Sequence, residues 1–130
     1  MAPAGLRSAE ADLAAMATGE GFLSGNDHGD CPAELALRVM QGRWKVLILR
    51  ELAEGVRRFS ALQRSLPGVS QKVLTSQLRE LEADGVVERT VHPEVPPRVE
   101  YALTARGRAL LPILDGLHAW GAEGSSATSD

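Results

Sequence analysis

Cysteine occurs once in these 130 residues, at Cys31, and aromatic side chains make up only 4% of them. A lone cysteine excludes a disulfide within the chain and points to a reducing, cytosolic setting. With so few aromatics, the core must be built mostly from Leu, Val and Ala, and a hydrophobic content of 44% is enough to supply one. The three histidines, His28, His92 and His118, are too far apart for metal-ligand spacing. Neither a Gly-rich phosphate loop nor a nucleophile elbow occurs. The expectation is therefore a protein that is not an enzyme and needs no metal or cofactor. No apolar run approaches the roughly 20 residues of a membrane span, and the N-terminus lacks the basic-then-apolar pattern of a signal peptide. A soluble, cytoplasmic protein without a membrane partner is expected.

Excess positive charge is also missing, since the chain carries a net −3. Its distribution is more informative than its sum. Residues 57–108 hold nine Arg/Lys against six acids, whereas residues 1–56 and 109–130 are each net −3. A basic middle between acidic ends fits a local phosphate-contacting face, although an ordinary solvated surface would look the same.

At this length one domain with loose ends is expected. Residues 1–30 read as a flexible arm with a short helix at Ala9–Ala17 (Leu13 and Met16 on one side), broken by Gly19, Gly21, Gly25 and Gly29. The folded domain should run over 31–123, and the small polar tail 124–130 should fray. Pro32 suits a first helical turn leading into Ala33–Met40. Trp44–Glu54 has apolar residues at Trp44, Leu47, Ile48 and Leu52, widened by Val46, Leu49 and Ala53, which predicts a mostly buried helix with Trp44 in the core. Val56–Phe59 reads as a short strand. Ser60 is a candidate cap for a helix over Ala61–Ser65, and Pro67-Gly68 makes a sharp turn.

The stretch from Ser70 to Thr104 carries the chemistry. Ser70 caps a helix reaching about Ala83. Leu74, Leu78 and Leu81 face the core, leaving Gln71, Lys72, Thr75, Ser76 and Arg79 on another side. Gly85 stops the helix. Val86–His92 and Arg98–Leu103 read as antiparallel strands joined by a loop that Pro93, Pro96 and Pro97 stiffen. Thr104 caps a last helix that Pro112 should kink. A polar-faced helix, a tight turn and a basic hairpin form the layout of a winged helix-turn-helix, mainly α with a small β wing. Such a fold places one helix in a DNA major groove and the hairpin beside it. Gln71, Lys72, Thr75, Ser76 and Arg79 offer donors and acceptors for base edges, unless Arg79 pairs with Glu80 or Glu82. Ser70 sits where free backbone N–H groups meet phosphate. Arg98, with His92 and Arg89 nearby, is the wing contact, and Arg57 and Arg58 are candidate phosphate clamps.

Cys31-Pro32, Gly42-Arg43-Trp44-Lys45, Arg58-Phe59, Leu74-Thr75, Leu78-Arg79-Glu80-Leu81, Asp84-Gly85, Val95-Pro96-Pro97-Arg98-Val99-Glu100-Tyr101, Leu103-Thr104, Gly107 and Trp120-Gly121 occur in a specific order and spacing. Together they resemble the HxlR-type, MarR-like family of bacterial winged-helix transcriptional regulators, over about Cys31–Gly121. The resemblance implies a homodimer on a roughly palindromic double-stranded DNA operator, in the cytoplasm and on the nucleoid when bound. It also implies that a cysteine at the Cys31 position senses electrophiles or oxidants in several members.

The residues themselves add two points. Leu110, Ile113, Leu114, Leu117 and Trp120 form a stripe without obvious cover inside the chain, so the first and last helices are expected to build the dimer interface, with core packing the alternative for Trp120. Cys31 stands at a helix start, where the dipole favours negative charge, beside Asp30 and Glu34, which oppose it. With no second cysteine, oxidation leads to an intersubunit disulfide, a mixed disulfide or a sulfenic acid. Two alternatives stay open: control by a small molecule bound at the dimer interface, and a winged helix that binds protein instead of DNA.

Overall fold

In the computed structural model, residues 31–128 are described, so the expected arm over 1–30 and its short helix lie outside the described residues. The described chain divides between Val39 and Met40 into two units. The first contains α1 (Pro32–Val39), which starts on proline as expected and carries an Arg38–Glu34 ion pair at 3.6 Å across one turn. Both partners are exposed, so this pair contributes little.

The second unit holds α2 (Lys45–Ala53), β1 (Arg57–Arg58), α3 (Phe59–Ser65), α4 (Gln71–Ala83), β2 (Val87–His92), β3 (Arg98–Leu103), α5 (Ala105–Ala109) and α6 (Leu111–Thr128). The sheet is antiparallel throughout, in the order β1-β3-β2. Ile48, Leu49, Leu52, Leu62, Leu74, Leu78, Leu81, Val86 and Val87 are fully buried, an aliphatic core as the composition requires. Three of them, Leu74, Leu78 and Leu81, make the single buried stripe of α4.

Local chemistry sets the ends of α4. Ser70 Oγ accepts from the Val73 N–H at 3.1 Å, satisfying one of the donors a helix start leaves free. At the other end Gly85 adopts φ +77°, the Gly85 N–H donates to Glu82 O and the Val86 N–H donates to Leu81 O. This is a Schellman stop, closed by the buried pair Leu81 and Val86. Thr104 then joins this turn to the next helix. Its hydroxyl donates to Gly85 O at 2.7 Å and accepts from the Gly107 N–H at 3.0 Å.

Three local expectations need correction. Ser60 is not a cap: α3 starts two residues earlier than expected, at Phe59, with Arg58 in the cap position and no side-chain cap bond. The last helix is broken rather than kinked: α5 closes on Leu110 as its cap and α6 starts at Leu111, because Pro112 is tolerated in a first turn but not inside a helix. α6 runs on to Thr128, past the expected start of the tail at Gly124. No helix among the described residues is long and apolar enough to cross a membrane.

Candidate nucleic-acid interface

With its leucines buried, α4 presents the opposite side to solvent. Gln71, Lys72, Ser76 and Arg79 are exposed and Thr75 is half-buried, its hydroxyl donating to Gln71 O at 2.8 Å. The structure therefore brings five of the expected contact residues onto one face, with Thr75 left mainly as an acceptor and a methyl group. Ser70 lies at the exposed start of the same helix, its Oγ already engaged by the Val73 N–H. Arg79 forms no ion pair with Glu80 or Glu82. Glu80 is taken by other partners: Lys45 Nζ lies 3.6 Å from its Oε1, and Gln77 Nε2 donates to its Oε2 at 3.1 Å.

Residue types alone do not reveal the part played by Lys45. Its side chain is 7% exposed, and it ties α2 to the solvent side of α4. Trp44, expected in the core, is half-buried and precedes α2, with the Arg43 guanidinium stacked 4.7 Å above its ring.

The wing differs from expectation in its charges. Arg98 lies across from His92 in the β2–β3 register, and an Nη atom is 3.2 Å from Glu94. Its Nε is buried 3.6 Å from Glu100, beyond hydrogen bonding, and has no hydrogen-bond partner. Glu100 also pairs with His92. Arg98 is thus held inside the hairpin by its neighbours instead of projecting as a free cation. Arg57 is likewise engaged, by Glu54 at 3.0 Å and by the Val56 carbonyl at 3.2 Å. Arg58 stays exposed, without an ion pair among the described residues.

Arg89, the other arginine of the hairpin, is exposed and has no ion pair among the described residues. It pairs with Tyr101 in the register and shares the strand parity of buried Val87, so it lies on the sheet face turned to α4. Thr75, Leu78, Arg79, Glu82, Arg89 and Tyr101 line a cavity of about 220 Å³ there. Strand parity with Val87 was the signal that would have singled it out. On α6 and the residue before it, Leu110, Ile113 and Leu114 are half-buried, whereas Leu117 is 48% and Trp120 77% exposed. Trp120 is therefore not packed into the core of the described residues. Cys31 is free and half-buried just ahead of α1. Among the described residues, no group of acids, His and Cys is arranged to hold a metal ion.

Residues 39–128 match the HxlR-like helix-turn-helix family. The chain is 55% identical over 89 residues to the uncharacterized HTH-type transcriptional regulator YtcD of Bacillus subtilis, covering 68% of this chain and 71% of that one. Among solved structures, the redox regulator HypR in its reduced form superposes with a TM-score of 0.72 at 43% identity, over 75% of this chain and 97% of that one. The reduced form of the transcriptional regulator YodB from B. subtilis gives 0.64 at 39%, over 71% and 91%.

Proposed function

The chain belongs to the HxlR-like helix-turn-helix family, and from that premise we propose that it is a homodimer reading a palindromic operator, with Cys31 the thiol through which oxidants or electrophiles change that binding. The observation that carries DNA recognition is the exposed polar face of α4, with Gln71, Lys72, Ser76 and Arg79 on a helix braced by Lys45 and capped at both ends. Side chains of this kind read base edges in a major groove, and Lys72 and Arg79 add charge for phosphates. Arg58 supplies a further phosphate contact. Arg98 acts through the wing, by bracing it.

Dimerisation is supported by the apolar stripe Leu110, Ile113, Leu114, Leu117 and Trp120. An exposed tryptophan at the end of such a stripe suits an interface anchor. Two copies would set their α4 helices about 34 Å apart, one turn of duplex. Redox control is supported by the likeness to HypR and YodB and by the free, half-buried Cys31.

The test is selection from a pool of random duplexes at two salt concentrations, followed by sequencing. Enrichment of a palindrome with affinity falling as salt rises is expected; a reduced protein that retains no duplex refutes the reading. On the selected duplex, oxidant should change the affinity of the wild type and leave Cys31→Ser unaffected. An equal response of the two would remove Cys31 from the mechanism.

A further inference from the structure

The cavity between α4 and the hairpin has an arginine on each of its two walls. Thr75, Arg79 and Glu82 line it from successive turns of α4, and Arg89 lines it from β2. Leu78 and Tyr101, both buried, form its floor. Neither Arg79 nor Arg89 has an ion pair or hydrogen bond to a described residue, although Glu82 lies on the same wall. Two exposed guanidinium groups lining one small space offer N–H donors that a single oxyanion can accept from both sides. The fork of N–H donors on arginine matches phosphate oxygens. With Glu82 counted, the cavity carries one net positive charge, which balances one phosphodiester. Its roughly 220 Å³ lies below the ~300–1,000 Å³ of sites for drug-sized ligands. Thr75 and Arg79 belong both to this cavity and to the solvent face of α4.

We infer that the Arg79–Arg89 cavity is an oxyanion site that takes one backbone phosphate of the bound duplex, shared by both guanidiniums. This rests on the DNA-binding reading above. Such a contact carries no sequence information. It fixes the position of the helix and the hairpin together on the duplex, and it makes Arg89 a binding residue.

The test measures affinity against salt for the wild type, Arg79→Ala, Arg89→Ala, the double variant and Arg89→Lys, on a duplex retained from the random pool and on a scrambled one. Arg50→Ala, which removes an equal charge from the exposed side of α2, sets the effect of net charge alone. One shared phosphate predicts that the double variant loses about 0.9 from the slope of log affinity against log salt, equally on both duplexes, while Arg89→Lys keeps the slope. A double variant whose slope changes by no more than twice the Arg50→Ala change, the effect of two charges alone, overturns the inference. A loss of about 1.8 overturns it too, since that means two separate phosphates. The DNA-free protein is also titrated with inorganic phosphate and followed by phosphorus NMR. Line broadening that the double variant abolishes, with an unchanged salt slope, would reassign the site to a free anion. Wild-type protein that binds no duplex refutes the DNA reading itself, so the two failures are separable.

Discussion

The Lys45 ammonium and the Glu80 carboxylate share one contact but not one environment. The lysine side chain is 7% exposed and the glutamate 53%. Breaking the contact from either side should therefore have unequal effects. Glu80→Ala strands a buried cation and is expected to lower stability by about 1–3 kcal/mol, the usual penalty for an unsatisfied buried group. Lys45→Met removes the charge, keeps the linear stem and leaves a glutamate that water can solvate, so stability should stay level or rise. Urea denaturation midpoints decide this, and equal losses in both variants would mean that the pair, not the burial of the lysine, is what matters. Lys45 also explains where the buried face of α2 departs from the expected stripe, which holds at Ile48, Leu49 and Leu52 but not at its first turn. The buried positions are 45, 48, 49 and 52, while Val46 is 38% exposed. A lysine stem is apolar enough to complete a buried helical face, but a reading of residue types assigns that position to solvent.

The wing and the α4–β2 turn are built from contacts between elements, and their behaviour depends on those contacts. Because Arg98 is occupied by Glu94 and Glu100, Arg98→Ala should loosen the hairpin without removing a phosphate contact. The expected signature is faster amide exchange at Thr90–His92 with an unchanged salt dependence of DNA binding. A slope lowered by about 0.9 would restore Arg98 as a direct phosphate contact. Gly107 is fixed by close approach. A Cβ built there would lie 2.1 Å from the Val86 carbonyl oxygen, so Gly107→Ala must displace the turn after α4. A loss of about 1–3 kcal/mol is expected from such overpacking, read as a lower thermal midpoint. Helix propensity alone favours alanine by about 1 kcal/mol, so a stabilised variant would show that the turn yields. The extents of α2, α4, β2 and β3 were legible because periodicity, capping residues and turn glycines are local signals. The α5–α6 break, the start of α3 and the pairing of Arg57 and Arg98 were not, because the residue types allow more than one local arrangement: Pro112 suits a kink or a new first turn, and each arginine has acids within four residues yet could equally face solvent.

At the scale of the whole molecule, the same division separates what residue types reveal from what assembly decides. The family resemblance and the polar face of α4 could be read directly, since both are patterns along the chain. Strand parity places Arg89 on the inner sheet face, but its relation to Arg79 exists only once β2 lies against α4. The stripe along α6 bears on the proposed dimer. Trp120, 77% exposed at the outer part of the stripe, and Leu117, 48% exposed one turn earlier, keep their apolar surface in water unless a second copy covers it. If that copy is seated there, Trp120→Ala should cost about 2 kcal/mol of association, as a buried aromatic anchor does, which is a rise of about thirtyfold in the dimer dissociation constant. Leu117→Glu, which places a charge in the same contact, should yield a monomer by sedimentation at concentrations where the wild type is dimeric. That monomer should keep its melting cooperativity, because neither side chain contributes to the chain's own core. It should also lose the preference for a palindrome while retaining weak, salt-sensitive contact with a single half-site, since one α4 helix still fits one major groove. If both variants stay dimeric, the copies meet elsewhere and the α6 stripe has another occupant.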